Sequence, residues 1–163
     1  MNIIMFHYVR PYDQEYPYFN YLDLNNFKKE LDFFEKEYGF LSKDEFFYSI
    51  ENSISTDGVI LTFDDGFKDH YTYVLPELKK RNLWGLFYIP TKVFSTETLL
   101  GVHRIHYLKG KYGSDRILKD TIMLVEEHML DKETIKEFDK EIYKGANYGK
   151  DEKKLRRLFN YYI

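Results

Sequence analysis

The sequence VILTFDDG at residues 59–66 decides the fold expected for this chain. Its apolar part, residues 59–61, is β-branched and aliphatic and follows an Asp-Gly pair, which is typical of a buried strand. The strand ends in two adjacent carboxylates, Asp64 and Asp65, followed by Gly66. Carboxylates beside a buried strand are costly unless they are paired, solvated or bound to a cation. Because ligands bind at the carboxyl ends of parallel strands in α/β folds, this acid pair is a candidate site.

The same acids also fit a purely structural interpretation. Asp commonly accepts hydrogen bonds from neighbouring backbone N–H groups in turns, and Gly66 tolerates a positive φ. Taken alone, Asp-Asp-Gly favours an ordinary turn over a site. The sequence around it is therefore needed to choose between the two.

The composition excludes several classes of protein. A chain of 163 residues that is 44% hydrophobic and 31% charged is expected to form one soluble globular domain. The net charge of −3 argues against nucleic acid, which proteins bind by neutralising phosphates. The absence of cysteine excludes disulfides, thiolate metal sites and cysteine nucleophiles. The N-terminus lacks the features of a signal peptide and no apolar run reaches transmembrane length, so a cytoplasmic location is expected.

Strands and helices are predicted to alternate over the first hundred residues. Such alternation indicates βαβ units and a parallel sheet. The predicted elements are a strand over 2–9 ending near His7, a helix from Asp23 to Gly39, a helix from Ser42 to about Ile50 with a Ser42–Glu45 capping box, the strand over 59–63, a helix within 71–81 capped by Asp69 with Pro76 in its first turn, and a strand over 86–89 stopped by Pro90.

The remainder of the chain is predicted to be helical. Periodic apolar positions indicate helices over residues 99–112, 115–128, 132–144 and 151–162, and no strand is predicted there. We therefore divide the chain into an α/β part, residues 1–96, and a helical part, residues 97–163. Because the last residues lack a helix cap or a polar tail, we also expect that the chain is cut from a longer one.

Several blocks in the α/β part occur together in one known family. TFDDG at 62–66 is followed by LPEL at 75–78 and a short apolar strand, and the chain opens with IMFHY at 4–8. In order and spacing, these blocks resemble the polysaccharide deacetylase family. The opening block resembles the Met-Tyr-His start of the branch that contains poly-N-acetylglucosamine deacetylases. The resemblance covers about residues 2–92.

This resemblance implies a fold, an activity and roles for the acids. The implied fold is a partly closed (β/α) barrel, and the implied reaction is metal-dependent hydrolysis of N-acetyl groups on a polysaccharide or amino sugar. By the family pattern, Asp64 is the general base and Asp65 binds a divalent metal, typically zinc. His7, at the end of the first strand, either lines the substrate cleft or is hydrogen-bonded into the fold. His70, just after the acids, either lies near the site or belongs to a helix start.

The chain departs from the family pattern at the remaining ligands. The family has two histidines four apart, whereas His103 and His106 are three apart and flank Arg104. Residues three apart still share a helix face, so they could act as a ligand pair. A cation beside a metal is unfavourable, however, which favours an amphipathic helix with incidental histidines. No Arg-x-Pro-Tyr-like block and no late Leu-x-His is found, so we expect the front part of a longer deacetylase with a helical insertion.

Two functions remain open at the level of sequence. The first is a carbohydrate N-deacetylase, or the N-terminal portion of one, with Asp64 and Asp65 as the surviving half of its site. The second is a non-catalytic deacetylase remnant that binds a glycan or a partner chain. The open edge of an incomplete parallel sheet would allow such pairing, including formation of an oligomer.

Overall fold

A computed structural model describes residues 1–96 and 99–123, together with residues 133 and 136. These residues form a mixed α/β structure with a small parallel sheet. In chain order, the described elements are β1 (Asn2–Phe6), β2 (Val9–Arg10), β3 (Leu22–Asp23), α1 (Leu24–Glu37), α2 (Lys43–Glu51), β4 (Val59–Phe63), a π-helical turn (His70–Val74), α3 (Leu75–Lys80), β5 (Leu86–Phe87), α4 (Lys92–Thr96), α5 (Gly101–Tyr112) and α6 (Ser114–Ile122).

The strand predicted over 59–63 lies in the middle of the main sheet. Its order is β1-β4-β5, with both pairs parallel. In register, Phe6 lies beside Phe63 and Phe63 beside Phe87. Every residue of β4 is buried, which explains its continuous apolar sequence. The parallel sheet predicted from the alternation of strands and helices is thus present.

Two helices cover one face of this sheet. α1 begins as predicted, because the Asp23 carboxylate accepts hydrogen bonds from the backbone N–H groups of Asn25 and Asn26. It ends before Gly39, which has φ +68°. α1 and α3 pack on alternate strand residues to form the main core, whose buried members are Phe6, Val9, Phe27, Leu31, Val59, Leu61, Phe63, Val74 and Leu78.

The second predicted helix, α2, also forms with its capping box. Ser42 and Glu45 exchange side-chain and backbone hydrogen bonds at its start. Its Phe46 packs with Leu41 and Ile60 in a second cluster, to which Trp84 contributes. Trp84 is fixed there, since its indole N–H donates to the Leu41 carbonyl over 2.7 Å.

Three sequence predictions need correction. The strand predicted over 2–9 is two short strands, β1 and β2, and the strand predicted over 86–89 is only Leu86–Phe87. Asp69 does not cap a helix with its side chain, because its backbone is already helical and its carboxylate pairs with Arg10 instead. The segment after it begins as the π-helical turn and becomes α3, with Pro76 in the first turn as predicted.

The described residues divide into two compact units. One is Met1–Tyr12 with Asn20–Ser95, and the other is Asp13–Phe19 with the chain from Thr96 onward. Within the second unit, α5 and α6 agree with the helices predicted over 99–112 and 115–128 as far as residue 123. The helices predicted over 132–144 and 151–162 lie outside the described residues, apart from residues 133 and 136. No helix within the described ranges is long and apolar enough to cross a membrane.

Candidate active site at the carboxyl ends of β1 and β4

The acid pair directly follows β4. Asp64 extends the hydrogen bonding between β1 and β4 by one residue, since its backbone N–H donates to the Phe6 carbonyl over 3.0 Å. Asp65 and Gly66 then both adopt left-handed backbone conformations, with φ +74° and +61°. A left-handed residue other than glycine is uncommon and costs free energy, and such residues cluster at functional sites. The turn therefore holds Asp65 in a backbone conformation that residues other than glycine rarely adopt.

His7 lies beside the acids because β1 and β4 are parallel and in register. It directly follows β1, at the same sheet end as Asp64. Its Nε2 is 3.9 Å from Oδ2 of Asp65, and the two side chains are 43% and 27% exposed. This separation is longer than a hydrogen bond, so the two groups face each other without bonding directly. The structure thus brings His7 and the acid pair together.

His70 is buried immediately behind His7. Only 3% of it is exposed, and its Nε2 is 2.6 Å from the His7 carbonyl oxygen. Because a carbonyl only accepts, Nε2 carries the proton and donates it. The ring packs edge-on against Phe63, Phe67 and Phe87. Burial lowers the pKa of His70, against the opposing effects of the His7 hydrogen bond and the charges of Asp69 and Asp65. We therefore describe His70 as a neutral imidazole fixed in the fold.

An ion pair lies next to this histidine. Nε of Arg10, on β2, is 3.2 Å from Oδ2 of Asp69, and the two side chains are 15% and 11% exposed. The pair connects β2 with the start of the π-helical turn. Sequence analysis did not identify it, because no local pattern relates residues so far apart in the chain.

Two cavities in the first compact unit adjoin these residues. One, of about 350 Å³, includes His7 and is lined by Met5, Phe6, His7, Tyr8, Asn20, Tyr21 and Leu22. The other, of about 270 Å³, is mostly apolar, includes His70 and is lined by Gly66, Phe67, His70, Tyr71, Leu75, Phe87 and Ile89. The lining of the first includes an amide, two phenol hydroxyls and the imidazole of His7.

The second pair of histidines lies in the other compact unit. His103 and His106 are on α5, as the helical interpretation predicts, with ring centroids 6.3 Å apart. His103 is 4% exposed. Their role as metal ligands stays a prediction.

The described residues do not complete a metal site. A catalytic zinc ion usually has three protein ligands. Within the described ranges, no group of three or more His, Asp or Glu side chains could hold a metal ion. The zinc site that the family resemblance implies, with Asp65 as a ligand, stays a prediction.

Comparisons with known proteins found similar solved structures. No family model and no curated protein matches the chain. Similar solved structures include a de-N-acetylase from Aggregatibacter actinomycetemcomitans, with 18% identity over 61% of this chain and 41% of that one and a TM-score of 0.47. IcaB from Ammonifex degensii has 26% identity over 54% of this chain and 37% of that one, with a TM-score of 0.44. Streptococcus pyogenes deacetylase PplD, in complex with acetate, has 18% identity over 99% of this chain and 80% of that one, with a TM-score of 0.49.

These likenesses are partial. The chain spans less than half of the first two structures, at 41% and 37% of their lengths. The first is named a de-N-acetylase and the third a deacetylase. Every one of these TM-scores is below 0.5.

Proposed function

We propose that this chain is a hydrolase of the deacetylase type, which removes N-acetyl groups from a polysaccharide or an amino sugar. One observation carries the proposal: His7 and the Asp64–Asp65 pair meet at the carboxyl ends of two adjacent parallel strands. Ligands and chemistry are found at this end of parallel sheets. We further propose that β1, β4 and β5 belong to a partial (β/α) barrel of the deacetylase type.

The roles proposed for the acids follow from amide hydrolysis. A water molecule must lose a proton as it attacks the acetyl carbonyl carbon, and the leaving amine must gain one. A carboxylate within reach of that water accepts its proton, and we assign this role to Asp64. Asp65, opposite His7, is the proposed ligand of a divalent cation, with zinc the expected ion. Within the described ranges no group of three or more His, Asp or Glu side chains could hold a metal ion, so the proposal for these residues extends to proton transfer and binding alone.

The cavity beside His7 is the proposed position of the sugar. Tyr21 offers an aromatic surface, and Asn20 an amide that can donate to and accept from sugar hydroxyls. A cavity of about 350 Å³ lies in the range of small-molecule sites. His7, which lines this cavity, faces Asp65 and connects the cavity with the acid pair.

An acetate assay tests this proposal. The chain is incubated with an N-acetylglucosamine oligomer and added zinc, and released acetate is measured. We expect acetate release that stops when a chelator removes the metal. The fully deacetylated glucosamine oligomer serves as the control substrate and should release none. If no acetate appears at any zinc concentration, this polypeptide is not a deacetylase by itself.

A second candidate is a non-catalytic module that binds the glycan. The shortage of metal ligands within the described ranges favours it. In that case, calorimetry would detect binding of the N-acetylglucosamine oligomer while the acetate assay stays negative. Substituting Tyr21→Ala should weaken this binding, whereas Tyr48→Ala, on exposed α2, should not. Equal binding by both variants would exclude the cavity beside His7 as the glycan site.

A further inference from the structure

Three contacts hold the segment around His7 against the turn that follows the acids. The rings of Tyr8 and Phe67 stack with centroids 4.2 Å apart. The His70 ring donates from Nε2 to the His7 carbonyl over 2.6 Å. The Arg10–Asp69 ion pair holds the same segment three residues after His7. His7 is therefore flanked on its C-terminal side by contacts with one turn, the turn that also carries Asp65.

We propose that His70 is a positioning residue that fixes the backbone of His7 and thereby holds its imidazole opposite Asp65. His7 lies beyond the last residue of β1, where the strand ladder no longer sets its conformation. The hydrogen bond from His70 supplies that constraint from the buried side. The importance of this role rests on the proposed function, because it concerns the same site.

The Arg10–Asp69 pair supports His70 in this role. A largely buried ion pair adds little net stability, because the desolvation of both charges offsets their attraction. It does fix geometry, since an unpaired buried charge is strongly unfavourable. Asp69 directly precedes His70 at the start of the π-helical turn. Its ion pair with Arg10 on β2 therefore fixes the point from which the His70 side chain reaches His7.

Two substitutions separate positioning from mere packing. His70→Phe keeps an aromatic ring among Phe63, Phe67 and Phe87 but removes the donor. His70→Gln loses the ring but retains an N–H at a position equivalent to Nε2. If His70 only fills space, the Phe variant should resemble wild type and the Gln variant should not. If it positions His7, the Gln variant should resemble wild type and the Phe variant should not.

The readout is the NMR signal of the His7 ring, which requires no substrate. In wild type, Asp65→Asn should shift the ring resonances of His7, because the two side chains face each other. We expect His70→Gln to preserve this response and His70→Phe to abolish it. A full response in the Phe variant would overturn the proposal. Failure of the acetate assay leaves this result intact, so the two proposals can fail separately.

A third variant tests the positioning role even if the His70 substitutions prevent folding. Asp69→Asn keeps the shape of the side chain but removes its charge from the pair with Arg10. We expect it to reduce the response of His7 to Asp65→Asn. Glu77→Gln, which removes the charge from a different ion pair with Arg81, should leave that response unchanged. Equal responses in the Asp69 variant and wild type would contradict the positioning role.

Discussion

At the scale of single residues, Asp65 combines a carboxylate at the proposed site with an unfavourable backbone. Its φ of +74° lies in the left-handed region, where a Cβ is normally disfavoured. Asp tolerates this region better than most residues, which is one reason that an Asp-Gly pair suits the turn. The carboxylate at the proposed site and the unfavourable backbone conformation therefore belong to the same residue.

Substitutions at Asp65 should reveal this strain. We expect Asp65→Gly to be more stable than Asp65→Ala by about 1 kcal/mol, because only glycine enters the left-handed region without cost. Urea unfolding of the two variants measures the difference, and neither variant retains the carboxylate. Equal free energies of unfolding would show that residue 65 is not left-handed.

His70 should make the stability of the protein depend on pH. Burial lowers its pKa from the ordinary value of 6.5 in the folded state. In acid the unfolded chain therefore binds a proton more readily than the folded one, so stability falls as the pH drops below about 6.5. We expect His70→Phe to lose less stability than wild type between about pH 7.5 and pH 5.5 in urea unfolding. An identical loss in both proteins would contradict a buried neutral imidazole.

At the scale of elements, local signals predicted α1, α2 and the central strand. α1 and α2 begin where Asp23 and the Ser42–Glu45 box predict, because caps act through neighbours in sequence. β4 was predicted from its apolar run, since a strand buried on both faces is apolar throughout. Because the acid pair directly follows this apolar run in the sequence, its position at the end of the strand was predicted together with β4.

Contacts between distant segments could not be predicted in this way. β2 and β3 are two-residue strands that pair with each other, and two residues carry no periodic pattern. The hydrogen bond from His70 to His7 joins residues 63 apart in sequence. The Arg10–Asp69 pair was missed for the same reason, and Asp69 was interpreted as a helix cap. The sequence predicted that the acid pair follows a strand, but not how the contacts beside it are arranged.

The register of β1 and β4 can be tested by cross-linking. Met5 and Thr62 are partners in this parallel pair, and the chain contains no cysteine to interfere. We expect the variant with Met5→Cys and Thr62→Cys to form a disulfide on mild oxidation, as measured by loss of free thiol. Ile4→Cys with Thr62→Cys is the control, because its side chains point to opposite faces. Efficient cross-linking of the control, but not of the first variant, would require a different register.

At the scale of the whole molecule, the described sheet has two open edges, β1 and β5. Phe87, in β5, is 38% exposed, and Ile89, two residues further on, is 56% exposed. Exposed apolar residues at a sheet edge favour pairing with another chain. The association expected from the sequence stays a prediction. Sedimentation should show a mass that rises with concentration, and Ile89→Lys should suppress the rise. A constant monomer mass in wild type would contradict it.

The central claim of this account is that Asp64 accepts a proton during hydrolysis of an N-acetyl group. Its most direct test compares acetate release from an N-acetylglucosamine oligomer by wild type, Asp64→Asn and Asp57→Asn. Asp57 precedes β4, at the opposite end of the strand, so its variant controls for the lost charge. We expect Asp64→Asn to reduce the rate by about 100-fold or more and Asp57→Asn to leave it unchanged. Equal rates in wild type and Asp64→Asn, or no acetate from any of the three proteins, would contradict the claim.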